Sequence, residues 1–183
     1  DPQAVEDRLW ADADGKIKAV CVVHNETSTG STSAIAEVRA AIDAVNHDAL
    51  LLVDTISSLA SIDFRHDEWG VDVTVSGSQK GLMLPPGLSF NAVSEKALSV
   101  SRASGMRRSY WDWSEQIAAN ADGAFPYTPA TNLLYGLAEA IAMLHEEGLD
   151  AVFARHDRHA AATRRAVQAW GLEVLYQEPR DFS

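Results

Sequence analysis

The chain has 183 residues, 46% of them hydrophobic and 22% charged, the make-up of one globular domain with room for a sizeable core. Its formal net charge of −11 excludes a nucleic-acid binder, because Arg102, Arg107 and Arg108 are too few to form a phosphate-neutralising stripe. No apolar run nears the roughly 18 residues of a membrane span, and Asp1, Pro2 and Gln3 do not open a signal peptide, so no membrane partner is expected.

Taken in order, residues Pro2 to Trp10 carry Val5 and Leu9 four apart and predict a short amphipathic helix. Ile17 to Val23 is a continuous apolar run, which predicts a strand buried on both faces, as in a parallel sheet. The only cysteine, Cys21, lies inside it and is expected to be a small buried hydrophobe, consistent with a reducing, cytoplasmic setting. A hydroxyl-rich loop follows from His24 to Gly30. Ser33 is the expected N-cap of a helix that buries Ile35, Val38, Ile42 and Val45.

Ala49 to Val53 predicts a second buried strand, ended by Asp54. Residues Thr55 to Trp69 read as irregular, anchored by Leu59, Ile62 and Phe64. Val71, Val73 and Val75 mark a third strand, which runs into Ser76, Gly77 and Ser78 before Lys80 and then turns at Pro85, Pro86 and Gly87. A fourth strand over Leu88 to Val93 leads to a helix capped by Ser94 and ending near Ala103. This order predicts an α/β fold with a mostly parallel sheet flanked by helices. Beyond it, Gly105 to Trp113 is rich in arginine and aromatic residues, as interfaces are. Two helices follow, with Gly148 between them and Gly171 at the end. Leu172 to Leu175 is expected to begin a strand of a second, smaller domain.

Three polar groups fall just after three buried strands: the Glu26–Gly30 loop, Asp54 and Lys80. In a parallel sheet such strand ends share one edge, where ligands bind. Asp54 follows four apolar residues and must be paired or hydrogen-bonded. It either serves a ligand or caps the next turn through the amides of Thr55 or Ser57. Lys80 is either a solvated loop charge or a nucleophile, and its apolar flank Leu82-Met83-Leu84 predicts a dry wall that would favour the neutral amine. The Gly77 to Gly81 string lacks the order of a phosphate-binding P-loop and of a nucleophile elbow. His156 and His159 share a helical face but sit among arginines, which favours a solvated surface over a metal site.

Together, His24 to Gly30, Leu51 to Asp54, Gly70 to Val73 and Ser76 to Lys80 resemble the class V aminotransferases that use pyridoxal phosphate, most of all the alanine–glyoxylate and serine–glyoxylate branch. Ile62 to Gly70, Pro85 to Gly87, Trp111 to Trp113, Tyr127 to Pro129 and Leu134 to Leu137 extend the likeness over nearly the whole chain. The resemblance implies the pyridoxal-phosphate fold type I. Residues 1–130 would form part of the large cofactor-binding domain, 131–171 the connecting helices and 172–183 the start of the small domain.

The resemblance also implies roles. Lys80 would join the cofactor aldehyde as a Schiff base and later carry the substrate proton, and Asp54 would pair with the pyridine nitrogen. Thr27 would donate its hydroxyl to the cofactor's phenolate oxygen, where the family more often has serine. Gln79 would reach the phosphate, and Thr128 would reach the phosphate in a neighbouring subunit, making a homodimer part of the site. The implied reaction moves an amino group from serine, or alanine, to glyoxylate. The family also has further N-terminal and C-terminal parts, so the chain is expected to be the central piece of a longer protein. The alternative expectation is a non-catalytic oligomerisation module of the same fold.

Overall fold

A computed structural model describes residues 1–176. The elements run α1 (Pro2–Trp10), β1 (Ala19–Val23), β2 (Asn25–Glu26), β3 (Ser31–Thr32), α2 (Ile35–Ala44), β4 (Leu50–Asp54), β5 (Val73–Gly77), β6 (Ser89–Val93), α3 (Glu95–Ala103), α4 (Trp113–Ala121), α5 (Thr131–Glu147) and α6 (Leu149–Ala169). Four strands form one sheet in the order β1-β4-β5-β6, and β2 pairs with β3 in a small hairpin. β1, β4 and β5 are parallel, whereas β6 returns antiparallel to β5. That return is short because the turn after Lys80 feeds it directly, with no crossover helix.

The main core forms where α1 and α2 cover one face of β1 and β4. Leu9, Ile35, Val38, Ile42, Leu51 and Val53 are its buried members. In β4 Leu51 and Val53 point into this core, while Leu50, Leu52 and Asp54 face the other way and are only half-buried. A second cluster joins Leu82, from the turn after β5, to Leu144 on α5 and Val152 on α6. Thus the loop that follows Lys80 is packed from below by the two long helices.

Several expectations are corrected. β1 is not buried on both faces: Val20 and Val22 pack on the core, but Cys21 is exposed and Val23 is 40% exposed. The continuous apolar run hid this, because β1 lies at the edge of the sheet and α1 and α2 cover only one of its sides. Ser33 does not cap α2. The N-cap is Ala34, without a side-chain bond, and the Ser33 amide instead donates to the His24 carbonyl at 2.8 Å. β5 begins at Val73 rather than Val71 and runs on through Ser76 to Gly77. No strand forms over Leu172 to Leu175, and the remainder of the expected 172–183 segment lies outside the described residues.

Other expectations hold. Ser94 caps α3 by accepting the Ala97 amide at 3.1 Å, and Gly148 joins α5 to α6 at φ 83°. The helix α4, capped by Asp112 through the Ser114 amide, has no counterpart in the sequence reading. It carries no buried residue, so no apolar stripe announces it.

Candidate functional site at the carboxyl edge of the sheet

Register places the three strand ends together. Val23 is paired with Asp54, and Asp54 in turn with Val75, so Asp54 lies between β1 and β5 at the carboxyl edge. The β2–β3 hairpin continues from β1 with Thr27 at its tip, and Lys80 stands three residues beyond Gly77 of β5. Thr27, Asp54, Gln79 and Lys80 therefore all emerge at one edge, which is where parallel sheets bind ligands. Thr128 stands apart from them in chain position, exposed in the extended segment between α4 and α5. That segment enters α5, whose Leu133 touches Gly87 and whose Gly136 touches Leu84, so α5 is anchored on the loop leaving Lys80.

Lys80 is exposed, which corrects the expected dry wall. The apolar residues behind it turn away from the amine: Leu82 is buried in the second cluster, and Met83 is half exposed to solvent. The turn itself is rigidly held. Ser78 is fully buried, and its hydroxyl donates to the Pro85 carbonyl at 2.8 Å while accepting the Leu88 amide at 3.2 Å. The Met83 amide closes on the Lys80 carbonyl at 2.9 Å. Gly81 presses on the neighbouring turn so closely that a Cβ there would overlap the Leu59 carbonyl oxygen and lie 2.6 Å from the Ser61 hydroxyl. Two non-glycine residues in these turns, Ala60 and Met83, both adopt φ 60°, a strained conformation that recurs at functional sites.

Asp54 makes the turn-capping bond, the second of the two readings offered for it. One carboxylate oxygen, Oδ1, accepts the Ile56 amide at 2.8 Å, so the capping bond exists, although to Ile56 and not to Thr55 or Ser57. The Thr55 hydroxyl and amide are used instead on the Val75 carbonyl, at 3.1 and 2.9 Å. Among the described residues Oδ2 has no such bond, which leaves an oriented carboxylate with one oxygen available.

The hairpin carrying Thr27 is ordered by Glu26. Its Oε1 accepts both the amide of Ser28 at 2.9 Å and its hydroxyl at 2.7 Å, and these bonds hold the Glu26 carboxyl below its usual range. The Thr27 hydroxyl is left exposed. Gln79 is exposed too, its side chain folded back over Gly77, where a Cβ would lie 2.9 Å from the amide oxygen. An amine, a carboxylate, a hydroxyl and a carboxamide thus line one edge. That donor set fits a cofactor with an aldehyde, a basic ring nitrogen, a phenolate and a phosphate.

Sequence reasoning missed two residues of this edge. In the sequence Ser78 reads as one of a run of small residues, yet it clamps the Lys80 turn. In the sequence His24 reads as the first residue of a polar loop, yet it is 2% exposed. Its ring tilts against Phe64 at 5.2 Å and meets Trp69 edge-on at 6.2 Å, and Nδ1 lies 2.9 Å from the Ser58 hydroxyl. Burial pushes its pKa down to about 4, against a raising effect of Asp63. The signal for burial was its position directly after an apolar run and the presence of two aromatic residues downstream.

One other feature stays outside the edge. An apolar cavity of about 250 Å³ lies beneath the Leu59–Phe64 turn against α5 and α6, with Leu82 in its wall but not Lys80. Among the described residues no cluster of His, Cys, Asp or Glu could hold a metal ion, and no helix is long and apolar enough to cross a membrane.

Residues 3–181 match the family described as Aminotransferase class-V. A serine–glyoxylate aminotransferase from Methylorubrum extorquens is 52% identical over 183 aligned residues, which cover 97% of this chain and 46% of that protein. An L-aspartate–glyoxylate aminotransferase from Paracoccus denitrificans is 46% identical, covering 97% of this chain and 45% of its own length. Among solved structures, pyridoxamine–pyruvate aminotransferase from Mesorhizobium loti superposes with a TM-score of 0.89 at 34% identity, over all of this chain and 46% of that one. The chain spans less than half the length of the relatives it matches.

Proposed function

The chain belongs to the class V aminotransferases, and on that premise we propose that the protein containing it transfers an amino group from serine to glyoxylate with pyridoxal phosphate. The observation that carries this reading is the in-register run Val23–Asp54–Val75, which sets a half-satisfied carboxylate at the sheet edge from which Lys80 emerges. Glyoxylate is the acceptor named in both curated relatives above, and serine is the donor in the more similar of the two. Alanine is the alternative donor.

When bound, pyridoxal phosphate supplies an electron sink for the carbanion left at the substrate Cα. Lys80 Nζ would hold the cofactor and then, once released, carry the proton from that carbon. Its exposure suits the second task, since an amine that must change partners needs room to swing. Asp54 would keep the ring nitrogen protonated through Oδ2, with Oδ1 fixed by Ile56. The Thr27 hydroxyl would donate to the phenolate oxygen, and Gln79 would bind the phosphate. Thr128 would complete the phosphate site of a second subunit, so a homodimer is part of this proposal. Residues 1–130 would belong to the large cofactor-binding domain, 131–171 would connect, and 172–183 would enter the small domain.

Reduction with borohydride after incubation with pyridoxal phosphate, followed by peptide mapping, tests the assignment. The label is expected on Lys80. Label on Lys16, Lys18 or Lys96, or none at all in the full-length protein, would refute it.

A further inference from the structure

His24 is the first residue after β1 and one of the few fully buried polar side chains in the described structure. Its amide donates to the Asp54 carbonyl at 2.8 Å, extending the β1–β4 ladder to the last residue of β4. Its ring reaches the other way, with Nδ1 2.9 Å from the hydroxyl of Ser58, a residue with no exposed surface. Ser58 and Leu59 close a turn by donating their amides to the Thr55 carbonyl at 3.1 and 2.9 Å. Within that turn the Ile56 amide donates to Asp54 Oδ1 at 2.8 Å. One residue thus holds the backbone of Asp54 through its own amide and, through its ring, the turn that orients the Asp54 carboxylate.

We propose that His24 is a positioning residue for Asp54, acting through Ser58 and the Thr55–Leu59 turn. The inference rests on the proposed pairing of Asp54 with the cofactor's ring nitrogen. Phe64 and Trp69 wall the imidazole in, so water cannot readily replace Ser58 as its partner. A buried polar pair deprived of one member leaves the other unsatisfied, and the turn must shift to relieve it. Once the turn slackens, Ile56 no longer fixes Oδ1 and the carboxylate is free to rotate Oδ2 away from the site.

The test uses the full-length protein without cofactor, with two readouts: hydrogen exchange at the Ile56 amide and the dissociation constant for pyridoxal phosphate. His24→Leu and Ser58→Ala are each expected to speed Ile56 exchange about tenfold and to weaken cofactor binding about tenfold. His24→Asn, which returns a polar atom near the Nδ1 position, is expected to hold both within about twofold of the parent. Unchanged Ile56 exchange in a folded Ser58→Ala protein overturns the proposal, and that variant decides alone if His24→Leu does not fold. Equal loss in His24→Asn and His24→Leu also overturns it, since packing of the ring would then be the whole effect. Asp54→Asn separates the two levels. If that variant binds cofactor normally, the pairing of Asp54 with the ring fails, while the Ile56 exchange still decides the link from His24.

Discussion

Gly81 lies against the carbonyl oxygen of Leu59, and the Ser61 hydroxyl and Ala60 carbonyl carbon stand 2.6 and 2.9 Å from where a Cβ would be. Two turns from different parts of the sequence therefore meet backbone to backbone directly behind Lys80. A methyl group cannot be accommodated by rotating a flexible side chain, because two of the three atoms it meets are main chain. Gly81→Ala is expected to destabilise the protein by about 3 kcal/mol, the upper end for overpacking. It should also lower borohydride-trapped cofactor at Lys80, because the turn must move. Urea unfolding and peptide mapping check the two effects, and a parental midpoint would show that the turns separate at no cost.

Ser78 makes the same turn rigid by a different means. Its hydroxyl both donates to Pro85 and accepts from Leu88, and its amide and carbonyl bond to Leu88 and Leu84. Removing the hydroxyl leaves the Pro85 carbonyl and the Leu88 amide, both in a part-buried turn, each short of a partner. Ser78→Ala is expected to cost about 2 kcal/mol. The loss should appear as a lower denaturation midpoint with an unchanged denaturant slope, since the surface exposed on unfolding is the same.

What could be read from the sequence follows from what each signal encodes. Buried strands announce themselves as apolar runs, so the β-α-β-β-β-α order and the shared edge of the Glu26–Gly30 loop, Asp54 and Lys80 are legible in the sequence, whereas Thr27 within that loop is singled out only by the family resemblance. A continuous run does not say which face is covered. Cys21 was therefore misjudged, because coverage by α1 and α2 is a tertiary fact. The dry wall at Lys80 failed similarly: Leu82 is apolar and buried, but it points into α5 and α6 and leaves the amine in water. The burial of His24 leaves a trace in the sequence, but its bond to Ser58 and that of Ser78 to Leu88 span 34 and 10 residues, separations at which local pattern carries no information.

Asp72 is the structural counterpart of Asp54, a carboxylate beside the main core instead of at the open edge. It is 5% exposed, and Oδ2 accepts the Leu51 amide at 2.9 Å with Arg39 Nη1 at 3.6 Å. Oδ1 accepts the hydroxyl of Ser94, the N-cap of α3, at 3.0 Å. Asp72 thus ties β4, α2 and α3 together. Asp72→Ala leaves the Leu51 amide and the Ser94 hydroxyl without their acceptor, while Arg39 keeps its ion pair to Asp43 at 2.7 Å, and is expected to cost about 3 kcal/mol. Asp72→Asn, which keeps acceptor capacity but loses the charge, should cost less, and thermal or urea unfolding of the pair separates the two contributions.

The buried imidazole of His24 makes stability depend on pH in a definite direction. Burial lowers its pKa to about 4 in the folded chain, whereas an unfolded histidine titrates near about 6.5. Above pH 6.5 the ring is neutral in both states and exerts no pH dependence. Between the two values acid protonates the unfolded chain but not the folded one, so stability falls as pH falls; below about 4 both are protonated and the slope vanishes. The whole step, between about 6.5 unfolded and about 4 folded, is worth about 3 kcal/mol. Carboxylates such as Glu26 also lose their folded-state bonds in acid, so the histidine contribution is isolated by difference. The parent is expected to lose about 3 kcal/mol more than His24→Asn between pH 7 and pH 4, measured by urea unfolding at each pH. Parallel pH profiles for the two proteins would mean that the ring takes up its proton inside the fold, with Asp63 offsetting the burial.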